Sequence, residues 1–192
     1  MPPLLIYIHG FLSSPLSAKA LEVRNFIDAN EIDIDYRVPA LSDYPGESFR
    51  QLTELLETNA GRRIALIGSS MGGFMATALA QRYDVKAVLV NPAVRPSELI
   101  HSVLGENINP YTGNRFVLTE SHVEELRALE AETPRAPQNL LLLVQTGDET
   151  LDYRRAVDYY RDCRQVVEEG GDHRFQDFER HLPAVFQFLD LP

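Results

Sequence analysis

Apolar positions along the chain gather into short dense runs separated by longer mixed stretches. Six runs read as strands: Leu4–His9, Ile34–Val38, Ile64–Gly68, Ala87–Asn91, Leu140–Gln145 and Cys163–Glu168. Several are apolar at nearly every position instead of every second one, which predicts strands covered on both faces. Helical stretches lie between them, at Ser17–Ala29, Ser48–Asn59, Met71–Arg82, Tyr153–Arg161 and Leu182–Leu189. Met71–Arg82 is dominated by Ala, Met, Leu and Phe, which suits a helix packed on its neighbours. Strand–helix alternation predicts an α/β fold with a mainly parallel sheet and right-handed crossovers.

One segment breaks the rhythm. Arg95 to Asn139 contains no convincing strand, and its pattern predicts two helices, Pro96–Leu104 and Ser121–Glu132, flanking the loop "GENINPYTGNRF". So long a stretch between two strands is usually functional or an insertion. It is expected to be a small helical cap (95–139) over the carboxyl ends of the strands, within a single domain spanning 1–192. The plainer alternative is a long crossover that only covers the sheet.

Composition narrows the class. A chain of 192 residues, 44% hydrophobic and 24% charged, is long enough for one domain with a sizeable core and has the balance of a soluble globular protein. The net charge of -10 argues against non-specific nucleic-acid binding, which needs basic surface to displace counterions. No apolar run approaches the length of a membrane span, and the opening "MPPLLIYIHG" lacks the basic leader of a signal peptide. The cytoplasm is therefore the expected location. Cys163, the only cysteine, has no internal disulfide partner, and its apolar neighbours predict a packing role. Histidines and acids lack metal-ligand spacing, so neither metal nor cofactor is expected.

The stretch "RIALIGSSMGGFMATALA" carries the chemistry. Gly68-Ser69-Ser70-Met71-Gly72 fits the pattern G-x-S-x-G with Ser70 at its centre; centring it on Ser69 would put Ile67 and Met71 at the glycine positions. A nucleophile on a sharp strand-to-helix turn needs small residues two before and two after it, where strand and helix backbones crowd together. The helix that follows points its positive end at the reaction centre.

A serine hydroxyl needs a base, and strand-turn nucleophiles of this kind are followed in the chain by an acid and then a histidine. Five histidines compete. His9 precedes Ser70 and reads as a loop-orienting residue bonded to backbone. His101 and His122 fall in the expected cap. His173, in "EEGGDHRF", follows the last strand run on a carboxyl-end loop and is the favoured base, with His181 at the start of the final helix as its rival. Asp148, in "LLLLVQTGDETLDYRRA", follows a strong strand and is the favoured acid. Glu149 and Asp152 compete with it, although Asp152 is already explained as a helix N-cap, and Asp172 is assigned to shaping the loop. The oxyanion of an acyl-transfer intermediate would be held by the backbone N–H of Met71 and, from the loop "YIHGFLSSP", that of Phe11.

Together "IYIHGFLSSP", "GSSMGGF", "VNPA", "NPYTG", "QTGDETLDY" and "GGDHRF" resemble the α/β-hydrolase superfamily, in particular the small bacterial YqiA-type esterases, along nearly the whole chain. The resemblance implies a six-stranded sheet in the order 2-1-3-4-5-6, without the first two strands of the full hydrolase sheet. It implies Ser70, Asp148 and His173 as a catalytic triad, and cytosolic hydrolysis of small-molecule carboxylic esters, with acyl-CoA thioesters as a further class. Phe11, Leu12, Phe74, Ile100, Leu104 and Phe116 are the residues considered for an acyl pocket, with plain core or cap packing as the alternative for each. Arg95 and Arg115 are the basic groups considered for CoA phosphates. The same triad would serve a peptide or carbon–carbon bond hydrolase, and a non-catalytic binding or scaffold protein on this fold is the reading from another class. The oligomeric state is left open.

Overall fold

Strand β1 (Leu4–Ile8) shows at most 1% of any side chain to solvent. Its side chains alternate: Leu4, Ile6 and Ile8 enter one hydrophobic core, Leu5 and Tyr7 another. A strand buried on both faces must sit inside a sheet covered on both sides. The computed structural model, which describes the chain from Met1 to Pro192, has that architecture. The chain continues through α1 (Ala18–Ala29), β2 (Asp35–Arg37), α2 (Pro45–Glu57), β3 (Ile64–Ser69), α3 (Met71–Tyr83), β4 (Lys86–Val90) and α4 (Pro96–Leu99). Then follow β5 (Gly105–Ile108), β6 (Arg115–Leu118), α5 (Glu120–Leu129), β7 (Leu140–Gln145), α6 (Tyr153–Tyr159), β8 (Arg164–Glu168) and α7 (Leu182–Phe188).

Six strands pair in parallel in the order β2-β1-β3-β4-β7-β8. Counting only strands of this sheet, the order is 2-1-3-4-5-6, as expected. Helices α1 and α7 cover one face, burying Val23, Ile27, Leu182 and Val185 against Leu5 and Ile67. Helices α2, α3 and α5 cover the other, with Leu52, Leu79 and Leu126 against Ile6 and Leu66. Each fully buried Leu or Ile contributes roughly 1.5–3 kcal/mol, so these interior strands carry much of the stabilisation. Register sets Ile8 beside Gly68 and Gly68 beside Leu89, which aligns the carboxyl ends of β1, β3 and β4 on one edge.

The segment 95–139 departs from expectation. It holds two strands where none was expected: β5 and β6 form an antiparallel hairpin, with Gly105 opposite Leu118 and Ile108 opposite Arg115. The reason lies in its two-faced pattern. Phe116 and Leu118 point into the core while Arg115 and Val117 face solvent, so four-residue strands with half their positions outward leave no continuous apolar run. Asn109 Nδ2 donates to Asp43 Oδ1 at 2.6 Å and pins the hairpin tip to the loop before α2. The expected helix at Pro96–Leu104 is a single turn, α4, continued by a 3-10 turn over Ile100–Val103. Cys163 is buried, and burial pushes its thiol up to about 11, in keeping with a packing role. No helix is long and apolar enough to cross a membrane.

Candidate active site

Strand β3 ends at Ser69, and Ser70 then adopts φ 56° and ψ −123° before α3 begins. Such a backbone costs a non-glycine residue about 1–3 kcal/mol unless its surroundings enforce it. Here they do. The Ser70 N–H donates to the Val90 carbonyl (3.0 Å), and the Ser70 carbonyl accepts from Gly73 (2.9 Å), Phe74 (3.3 Å) and Ala93 (3.0 Å). The glycines of the frame are used as anticipated. A Cβ on Gly68 would strike the backbone of Gly72, and one on Gly72 would strike the Ile8 carbonyl.

Ser70 Oγ lies 3.2 Å from His173 Nε2. On the far side of the ring, His173 Nδ1 lies 2.9 and 2.8 Å from the two oxygens of Asp148. An ionised carboxylate only accepts, so Nδ1 carries the proton and Nε2 presents its lone pair to the serine hydroxyl. The Asp148 side chain is 2% exposed. Burial would raise its carboxyl, but the His173 ring and the N–H groups of Leu151 and Thr150 outweigh that and hold it below its ordinary value. Those two N–H groups donate to Oδ1 at 2.8 and 2.9 Å.

The rival residues have other partners. Glu149 accepts from the His173 backbone N–H (3.0 Å) and so steadies the loop. Asp152 caps α6 through the Arg154 N–H. Asp172 accepts from the Arg174 N–H and from Gln176, shaping its loop. His9 places Nδ1 3.0 Å from the Gly10 carbonyl, while Nε2 takes a long 3.5 Å contact from the Leu41 N–H. It orients the loop, and burial pushes its ring down, away from the charged form. His122 completes the Thr119 cap of α5 and stacks on Tyr44; His101 faces Glu120; His181 bonds Glu168.

The N–H groups of Phe11 and Met71 donate to no protein acceptor. The loop after β1 passes tightly against the serine, because a Cβ on Gly10 would come within 3.2 Å of Ser70 Cβ. A cleft of about 320 Å³ opens here, lined by Ser70 and His173 together with Phe11, Leu12, Leu16 and Tyr111. Of the residues considered for an acyl pocket, Phe11 and Leu12 line it. Phe74, Ile100 and Phe116 are buried in the core and Leu104 packs against that core, with Phe116 meeting the Phe11 and Tyr44 rings edge-on. Arg95 and Arg115 do not line it either; its cations are Lys19 and Arg174.

Two residues with no expected role beyond ending strands hold the His173 loop in place. Asn91, at the end of β4, donates from Nδ2 to the carbonyls of Asp172 (3.0 Å) and His173 (3.2 Å), while its Oδ1 accepts from the Gln145 N–H. Gln145, 3% exposed at the end of β7, accepts from the Asp172 and Gln176 N–H groups and donates to Glu168 and the Gln176 carbonyl. A polar residue closing an otherwise apolar strand was the available signal for both.

The profile of UPF0227, described as an uncharacterised protein family, matches residues 4–190. The chain belongs to the UPF0227 family. A relative from Enterobacter sp. (strain 638), UPF0227 protein Ent638_1623, is 23% identical over 190 residues, covering 98% of this chain and 99% of the relative. Among solved structures, this UPF0227 chain is similar to Est1E from Butyrivibrio proteoclasticus with ferulic acid bound (TM-score 0.77, 17% identity, 97% of this chain and 88% of that one). It is also similar to alpha/beta hydrolase domain-containing protein 10 from mouse (TM-score 0.75, 18% identity, 99% and 90% covered). This UPF0227 member therefore has the α/β-hydrolase fold.

Proposed function

We propose that the protein is a serine hydrolase that cleaves small carboxylic esters by acyl transfer. The observation that carries this reading is the unbroken line from Asp148 through the His173 ring to Ser70 Oγ, with contacts of 2.8 and 3.2 Å. His173 takes the Ser70 proton as Oγ attacks the ester carbonyl. The N–H groups of Phe11 and Met71 receive the oxyanion, each worth about 3 kcal/mol in the transition state. His173 then protonates the leaving alcohol, and afterwards draws a proton from the water that releases the acid. Asp148 keeps the proton on Nδ1 and stabilises the imidazolium throughout. The likeness to Est1E, solved with ferulic acid bound, is in keeping with an ester substrate.

Labelling with a fluorophosphonate tests the nucleophile. The parent protein should take up one label per chain and the Ser70→Ala protein none. An unlabelled parent, or equal labelling of both, would refute the reading.

A further inference from the structure

Four features converge on one wall of the cleft beside Ser70. The first turn of α1 lines it through Ser17, Ala18 and Lys19. That 12-residue helix has no acidic residue in its first turn, so its positive end is left uncompensated. Ser17, its N-cap, makes no capping bond, and its buried Oγ has only the Tyr7 hydroxyl as a polar neighbour. Lys19 Nζ donates to the Arg174 carbonyl and pairs with no acid, and the exposed Arg174 guanidinium lines the same cleft without a partner.

Neither cation of this wall forms an ion pair. Lys86, the other lysine, is paired with Asp190 at 2.7 Å. Glu22, Asp172 and Asp148 lie within reach of the Lys19 charge, but none forms an ion pair with it: Asp172 is engaged with the Arg174 N–H and Gln176, and Asp148 with His173. Burial pushes the Lys19 ammonium down to about 8, against the pull of Glu22, Asp172 and Asp148, which marks a cation partly stripped of water. A neutral acyl chain would gain nothing from such a wall.

Building on the serine-hydrolase reading, we propose that Lys19, Arg174, Ser17 and the amino end of α1 form an anion subsite, and that the ester cleaved at Ser70 carries a carboxylate or phosphate. The helix end donates to the anion, and the two cations flank it. Leu12, Leu16 and Tyr111 remain for the apolar part of the substrate.

Monoethyl adipate and ethyl hexanoate have the same length and differ by a carboxylate in place of a methyl group; ethyl 5-phosphonooxypentanoate supplies the phosphate arm. The parent protein should favour one or both anionic esters over ethyl hexanoate by about tenfold or more in kcat/KM, and whichever is preferred identifies the anion. Lys19→Met and Arg174→Gln should each erase most of that preference, chiefly through KM. No preference in the parent would overturn the proposal. So would variants that lose equally on charged and neutral esters, since Lys19 would then serve only to hold the Arg174 carbonyl. Calorimetry on the Ser70→Ala protein separates this proposal from the hydrolase reading. Tighter binding of monoethyl adipate than of ethyl hexanoate supports the subsite even where the parent turns over neither, and equal binding overturns it.

Discussion

His173 and His181 stand eight residues apart, and each leans on a carboxylate, Asp148 at 2.8 Å and Glu168 at 3.0 Å. By distance alone the two pairs are equivalent. They differ in which nitrogen is used and in what the other one meets. His173 bonds its acid through Nδ1 and turns Nε2 to Ser70 Oγ. His181 spends Nε2 on Glu168, shares that acid with Arg180, and packs its ring against Phe175. A histidine–carboxylate pair is thus not a catalytic signature in itself. It becomes one when the second nitrogen faces a group whose proton is worth taking.

The largest effect should separate the two histidines. His173→Ala is expected to lower kcat on a p-nitrophenyl ester by roughly 10⁵–10⁶-fold, and His181→Ala to stay within about threefold of the parent. Comparable losses in the two variants would abolish the distinction. Next come the acids. Asp148→Asn should reduce kcat by about 10⁴-fold by favouring the wrong tautomer, whereas Glu168→Gln, which leaves a carbonyl acceptor, should cost less than about tenfold. A larger loss at Glu168 would make the second pair part of the machinery.

The smallest effect concerns a property the pairs share. Both carboxyls are held below their ordinary values against the opposing effect of burial, Asp148 by His173 and two N–H groups, Glu168 by Gln145 and Arg180. A depressed carboxyl stabilises the fold above its unfolded value, about 3.9 for Asp and 4.3 for Glu, and that contribution is lost as pH falls through the folded value. Urea unfolding should therefore show Asp148→Asn destabilised by about 1–2 kcal/mol at pH 7, with the gap closing below about pH 4. A gap independent of pH would mean that the carboxyl is not depressed in the fold.

How much of this could be read from the chain follows from how each feature writes itself. The β1, β3, β4 and β7 strands are buried on both faces and announce themselves as unbroken apolar runs. Ser70 is singled out because Gly68 and Gly72 are required by backbone crowding, which permits no substitute side chain. Asp148 and His173 are favoured by position, as polar residues just past strand ends, and the fold brings both to Ser70. The β5–β6 hairpin stayed hidden because Arg115 and Val117 face water, which breaks the run into single positions. The lining of the pocket is left open by the chain for a different reason. Phe74 lies on α3, whose residues from Gly72 to Thr77 are all buried, so the pattern does not tell the face toward the cleft from the face toward the sheet. Gln145 and Asn91 act on groups 23 or more residues away, so a polar strand end marks the residue but not its partners.

The anchoring of the base has a mechanical consequence. His173 follows β8, the edge strand, whose Arg164 and Val167 are exposed and which has a neighbour on one side only. Edge strands are the first to open in thermal fluctuation. Yet the loop carrying His173 hangs chiefly from Asn91 and Gln145, at the ends of the interior strands β4 and β7. The imidazole is therefore aimed from the interior of the sheet, and Gln145 also grips the margin through Glu168.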